Sequence, residues 1–274
     1  MNKSERERTL LEIKTGNWSD QISWILQNTN SELCALMIHG FERASTSEQK
    51  YRILSQKLSQ KNISNISVDF VWTGVSIWDF ANNTISYMTI QLELLLSELK
   101  NKWFKKFVMI WHSLWCAIIS NIYNKSEYIS DIYKSILIAP ALNQIELNRY
   151  WFVKWKMWKS DPNIKIDWSN YKQYFDENEY QKSFENWKIT KMNFIKSDYF
   201  AKWLDFDFNK NYQSLSHEQK MNILVIYGDK DETVPQISND FDFTNKIIVK
   251  WWDHDMEKPW QYDQWIDKAI NFIW

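Results

Sequence analysis

Residues Phe107 to Ile119, F-V-M-I-W-H-S-L-W-C-A-I-I, limit the possible folds of this chain more than any other stretch. An unbroken apolar run enters His112-Ser113, and a helix-like apolar pattern leaves it at once. A strand with no polar face must be covered on both sides, which is the position of an inner strand in a parallel sheet. Ser113 then stands at a corner where a buried strand turns into a helix, a setting that can hold a hydroxyl out for reaction. The pattern usual at such a corner, G-x-S-x-G, is not kept, because Trp111 and Trp115 occupy the two glycine places.

The rest of the chain repeats the alternation. Short runs from Leu10 to Lys14 and Gln21 to Gln27 flank T-G-N-W-S-D and predict an N-terminal hairpin. Strands are expected at Leu33–Ile38, Ile66–Phe70, Lys106–Ile110, Ser135–Ala139, Met221–Tyr227 and Lys246–Lys250. Helices are expected at Ser47–Gln60, with Tyr51, Leu54 and Leu58 on one face, at Thr84–Leu99 with Thr84 as N-cap, at Ser113–Tyr123 and at Gln261–Ile273. Residues 141–217 break the rhythm: they are rich in Asn, Lys, Asp and aromatics and carry no buried-strand run. The reading is an α/β domain with a mostly parallel sheet, its core formed by 1–140 and 218–274, interrupted by a mainly helical cap at 141–217.

Charge and composition remove several function classes. The formal net charge is -1 and the lysines are scattered, so nothing favours a nucleic-acid partner. The N-terminus is charged, without an apolar leader, and no run of 18 apolar residues occurs, so a cytoplasmic protein without membrane insertion is expected. Cys34 and Cys116 are too few for a disulfide framework and lack metal-ligand spacing, so both are expected to be reduced packing residues, with no metal site.

Four separated motifs bear on chemistry. They are H-G-F at 39–41, D-F-x-x-T-G-x-S at 69–76, H-S-L at 112–114, and G-D-K-D-E-T-V-P at 228–235 followed by D-H at 253–254. A serine hydroxyl needs an adjacent base to act as a nucleophile. Of the four histidines, His254 follows the last expected strand, whereas His217 lies in a polar stretch and His39 and His112 adjoin loops. Asp229 and Asp231 both follow the strand 221–227, and local sequence leaves either as the partner of a histidine.

In their order and strand context these motifs resemble the α/β-hydrolase superfamily, and within it the serine acyl or cinnamoyl esterases and monoacylglycerol lipases. The resemblance covers nearly the whole chain outside 141–217. It implies Ser113 as nucleophile, His254 as base, Asp231 as the acid orienting His254, and backbone N–H groups of Phe41 and Leu114 as the oxyanion hole. It implies no cofactor and a small-molecule carboxylic ester as substrate, cleaved through an acyl-enzyme. A serine peptidase or thioesterase would use the same groups. Cap aromatics such as Tyr150, Phe152 and Tyr171 are candidates to line an acyl pocket.

Composition returns to the two tryptophans. Average usage of about 7% would give roughly 19 glycines in a chain this long, but there are 4, against 18 tryptophans. The deficit and the excess nearly cancel. Indoles at 111 and 115 are expected to collide with the flanking strand and helix, because no Cβ fits at such glycine places. Trp72 occupies a further glycine place of the resembling family, and Trp18, Trp78, Trp251 and Trp252 lie beside turns. The expectation is that UGA codons specifying glycine have been read as tryptophan. If the tryptophans are genuine, a non-catalytic binding protein on the same fold is the alternative.

Overall fold

The computed structural model describes residues 5–15, 18–40, 44–71, 85–186, 208–238, 241–258 and 262–274. Eight strands form one sheet: β1 (Glu5–Thr15), β2 (Trp18–Asn28), β3 (Leu33–Ile38), β4 (Ser64–Asp69), β5 (Lys106–His112), β6 (Ile132–Ile138), β7 (Ile223–Gly228) and β8 (Asn245–Val249). Their order across the sheet is β1-β2-β4-β3-β5-β6-β7-β8. The pairs β1·β2 and β2·β4 are antiparallel and all others parallel, so β2 alone runs against the rest.

The inner strands divide their side chains between two cores with the two-residue period of a pleated strand. From β3 and β5, Cys34, Leu36, Ile38, Phe107, Met109 and Trp111 enter one core. The alternate residues Ala35, Met37, Val108 and Ile110 enter the other. The first core is closed by α2 (Ile85–Asn101) and α3 (Ile118–Lys125), the second by α1 (Gln49–Gln60) and α8 (Tyr262–Ile273). On α1 the expected Tyr51, Leu54 and Leu58 are buried, and Lys50 is buried with them. Cys34 and Cys116 are buried and unpaired.

Several boundaries move for identifiable reasons. The hairpin strands are each 11 residues long, paired from Glu5↔Asn28 to Thr15↔Trp18, because backbone pairing continues where apolar alternation gives no signal. β6 begins at Ile132, three residues before the apolar run that marked it, by pairing with Phe107 and Val108 of β5. The helix expected from Ser113 starts as a tight three-ten turn, Ser113–Ala117, and becomes α-helical at Ile118. Thr84 lies outside the described residues.

Among the described residues, α4 (Gln144–Ser160) and α5 (Glu177–Asn186) occupy the first part of the aromatic-rich stretch. Tyr150, Val153, Ile166 and Tyr171 form a small core of their own there. Phe152 packs edge-on to Tyr180, with ring centroids 5.3 Å apart. Short helices α6 (Phe208–Gln213) and α7 (His217–Met221) lead into β7, and Phe208, Tyr212 and Leu215 join the core on the α2–α3 side. Ser216 and Gln219 close the start of α7 with reciprocal bonds of 3.2 and 2.8 Å. His217 is exposed. Among the described residues, no helix is long and apolar enough to cross a membrane.

The last turn of α2 carries a detail that composition alone does not show. The Phe104 N–H donates to the Leu99 carbonyl (3.1 Å) and the Trp103 N–H to that of Lys100 (2.9 Å), the paired bonds of a left-handed helix stop. Trp103 occupies its turning position at φ 93°. Glycine is the usual residue there, because any Cβ is strained at that angle.

Candidate active site

Parallel strands place their carboxyl ends on one edge of the sheet, the edge along which open α/β sheets bind ligands. His39-Gly40 follows β3, Ser113 follows β5, Asp231 follows β7 and His254 follows β8. Residues far apart in sequence therefore meet there.

Ser113 has φ 56°, a left-handed angle uncommon for a residue with a side chain, at the exit from β5. Its Oγ lies 2.8 Å from His254 Nε2. His254 Nδ1 lies 2.8 Å from Asp231 Oδ2. The other Asp231 oxygen accepts the N–H groups of Thr233 (2.9 Å) and Val234 (2.8 Å), which fix the carboxylate's orientation. The Asp231 side chain is 2% exposed and that of His254 is 16%, so this chain of bonds is shielded yet reachable from the histidine end. With Nδ1–H donated to the carboxylate, Nε2 is left to accept the serine proton. Asp229, the competing carboxylate, instead accepts the Trp251 N–H at 2.5 Å and stays a turn residue.

Leu114 is buried in the first turn after Ser113, where helix-start N–H groups have no partner within the turn. Phe41 lies outside the described residues, as do Trp72 and Trp78. Gly40, just before Phe41, is described: a Cβ on it would stand 2.6 Å from His112 Nδ1 and 3.3 Å from Ser113 Cβ. Gly40 thus stands directly against the serine corner. Asp69, wholly buried at the end of β4, holds the next part of the loop after β3 by accepting the Thr46 N–H (3.2 Å) and hydroxyl (2.5 Å).

His39 is wholly buried, its Nδ1 2.6 Å from the Gly40 carbonyl and its ring edge-on to Trp115 at 5.1 Å. Burial pulls its pKa down to about 4, opposed by the hydrogen bond to Gly40 and reinforced by the charge of Lys50. The unfolded chain takes up this proton near 6.5. The neutral ring therefore contributes fully to stability above about pH 6.5, and the contribution is lost as pH falls towards about 4. Urea denaturation at pH 7 and pH 4.5 is expected to show an acid loss in the parent exceeding that of His39→Gln by roughly 2–3 kcal/mol. Equal acid losses in the two proteins would overturn the assignment.

The acid and base loops are in backbone contact. A Cβ on Gly228 would meet the Trp252 carbonyl oxygen at 2.5 Å and carbon at 2.9 Å. The Lys230 N–H donates to that same Trp252 carbonyl at 2.8 Å. Gly228→Ala is expected to cost about 1–3 kcal/mol, read as a lowered urea midpoint, by prising the histidine loop away from Asp231. Helix α4 holds the acid loop from its other side: the Tyr150 hydroxyl donates to the Glu232 carbonyl (3.0 Å) and the Trp151 indole to that of Thr233 (2.7 Å). Tyr150 and Tyr171 are buried against each other with ring centroids 5.6 Å apart, so they pack the stretch that was expected to offer a pocket lining.

Trp111 and Trp115 are both wholly buried, and the collision expected of them is taken up by the core: Trp115 stacks on Phe70 at 5.1 Å between the loop after β3 and the α2–α3 core. Among the described residues neither indole N–H has an acceptor, and the same holds for Trp24, Trp252 and Trp265. Buried indoles usually find one. Trp251 stands at φ 64°. Among the described residues no three His, Cys, Asp or Glu side chains converge to hold a metal ion.

No family model and no curated protein matches the sequence. Solved structures do match the fold. The esterase Pf2001 of Pyrococcus furiosus superposes with a TM-score of 0.66 over 97% of this chain and 90% of its own, at 14% identity. Est1E of Butyrivibrio proteoclasticus, solved with ferulic acid bound, gives 0.62 over 96% of each chain at 16% identity. The monoacylglycerol lipase of Paleococcus ferrophilus gives 0.59 over 92% of this chain and 98% of its own, at 12% identity. The chain has the α/β-hydrolase fold. On this α/β-hydrolase frame the side chains of Ser113, His254 and Asp231 stand in turn within hydrogen-bond distance. Lys50 and His112, which the sequence left aside, also prove to touch the histidine loop.

Proposed function

We propose that this protein is a serine hydrolase that cleaves a carboxylic ester. The observation that carries the reading is the unbroken relay from Asp231 to His254 to Ser113, with both links at 2.8 Å and the serine held on a left-handed corner. Ser113 Oγ attacks the ester carbonyl carbon while its proton passes to His254 Nε2. The tetrahedral oxyanion is bound by the N–H groups of Leu114 and Phe41. His254 then gives the proton to the departing alkoxide as the C–O bond breaks, leaving an acyl group on Ser113. Water, deprotonated by His254, releases the carboxylic acid and restores the serine. Asp231 holds the imidazole tautomer and stabilises its charged form. Residues 141–217 serve as the cap that shapes the substrate's access, and a small ester such as a hydroxycinnamate or monoacylglycerol is in keeping with the solved neighbours.

The same proposal includes the decoding of the tryptophans. Trp103 and Trp251 stand at left-handed angles, Trp111 and Trp115 bracket the serine, and five buried indoles lack acceptors. These observations support glycine as the native residue at 103, 111, 115 and 251, and the resemblance of D-F-x-x-T-G-x-S adds 72, each written as tryptophan through UGA. Sequencing the gene tests this directly: UGG at 72, 111 and 115 would sink it. Activity is tested with short p-nitrophenyl esters and a fluorophosphonate probe on the full-length chain, in its tryptophan form and with glycine at those five positions. Labelling at Ser113 with ester turnover is expected in the glycine form. Absence of labelling in both forms overturns the assignment.

A further inference from the structure

The histidine loop is gripped through its main-chain oxygens by two side chains that the relay does not use. His112, the residue before the nucleophile, is 1% exposed and donates Nε2–H to the His254 carbonyl at 2.9 Å. Its ring centroid lies 5.1 Å from that of His254. Lys50, on the first turn of α1, is wholly buried and donates from Nζ to the Asp255 carbonyl at 2.9 Å. The same ammonium pairs with Glu48 Oε2 at 2.9 Å, and the two side chains are 0% and 4% exposed. The next residue of the loop, Met256, stands at φ 56°, so the chain turns away abruptly just beyond the two held carbonyls.

A buried lysine is an expensive anchor. Desolvating an ammonium and a carboxylate together costs more than a surface pair returns, and an apolar pair of equal volume often stabilises a fold as well or better. Packing alone therefore does not account for the charge at position 50. A donor that must reach a main-chain oxygen across the α1–loop gap does, since the lysine stem spans the core and ends in N–H groups that can serve Glu48 and Asp255 together.

We infer that Lys50 is a positioning residue, which with His112 clamps the consecutive carbonyls of His254 and Asp255 so that His254 Nε2 is held in line with Ser113 Oγ. Glu48, the residue before α1, is the ammonium's ion-pair partner. The clamp acts on proton transfer and not on substrate, so its loss is read in kcat with little change in KM. This rests on the esterase reading above.

The test uses the full-length chain, in whichever form, tryptophan or glycine, hydrolyses p-nitrophenyl esters. Lys50→Met alone strands Glu48 and endangers folding, so the decisive variant is the double Glu48→Gln/Lys50→Met, which removes both charges and keeps the volume. It is expected to melt within a few degrees of the parent, to lose 10- to 100-fold in kcat with KM within about threefold, and to react correspondingly more slowly with the fluorophosphonate. Glu48→Gln alone, which retains the lysine donor and leaves an amide oxygen facing the ammonium, is expected to lower the melting temperature but to keep kcat within about threefold. A double variant with parental kcat overturns the clamp and leaves the esterase reading intact. A Glu48→Gln loss as deep as that of the double variant overturns it too, by assigning the effect to the ion pair. A parent in which neither form turns over ester or takes the probe overturns both readings together.

Discussion

Ser113→Ala is expected to lower ester turnover by on the order of 10⁵- to 10⁶-fold, leaving only the residual rate that binding and oxyanion stabilisation supply. The size of the effect follows from the geometry. Oγ is placed 2.8 Å from Nε2 of the base, at a corner whose φ is 56°. His254→Ala is expected to match it, because the hydroxyl without its base is an ordinary alcohol and the two losses do not add. Asp231→Asn is expected to cost less, about 10⁴-fold, since the amide offers the imidazole a donor where an acceptor is needed. Steady-state kinetics on p-nitrophenyl acetate and butyrate check all three. Parental turnover in Ser113→Ala would remove the serine from the mechanism altogether. Circular dichroism on the same samples separates lost chemistry from a lost fold.

Removing tryptophans carries the largest expected effect on stability. Trp103→Gly and Trp251→Gly together are expected to stabilise the chain by about 1–3 kcal/mol, since each relieves a left-handed strain of about 1–2 kcal/mol. The Trp103 ring contact with Phe104 at 4.9 Å and the Lys230 cation 5.4 Å from Trp251 offset part of the gain. The buried pair distinguishes the two histories of the sequence more sharply. A genuine Trp111 or Trp115, wholly enclosed, would leave a cavity when cut to glycine and cost about 3–5 kcal/mol or more. Around a native glycine the flanking strand and helix close without a void. The expected result is a glycine-restored protein with a higher urea midpoint than the tryptophan form. A lower midpoint, with UGG codons in the gene, would establish the indoles as native.

What the sequence made legible follows from what generates signal. Inner strands such as Leu33–Ile38 and Lys106–Ile110 were visible because both faces are buried, which leaves an unbroken apolar run. Tyr51, Leu54 and Leu58 were visible because helix period puts them on one face. The placement of Ser113, Asp231 and His254 just past strand ends was legible from the expected strands, whereas their roles are what the resemblance implies. Lys50 was not, although it precedes Leu54 by one helical turn: a lysine on an apolar face reads as solvent-seeking until its partners on distant segments are known. His112 escaped for a similar reason, since its acceptor is a main-chain carbonyl 142 residues away. The helix stop after α2 was hidden because its turning position carries Trp103 and not the glycine that normally announces such a stop. Asp229 and Asp231 differ only in where their carboxylates point, and that depends on the loop carrying Trp251 and His254.

The separation between Ser113 and His254, 141 residues along the chain, also bears on when the protein acquires its chemistry. Contacts of such span are slow to form, because closing a long loop costs entropy before the contact repays it. During synthesis the serine emerges and β3, β4 and β5 can pair well before the segment bearing the base exists. The hydroxyl remains an unactivated alcohol throughout that interval. On the proposed mechanism, hydrolytic competence is deferred until β8 and the loop beyond it have docked.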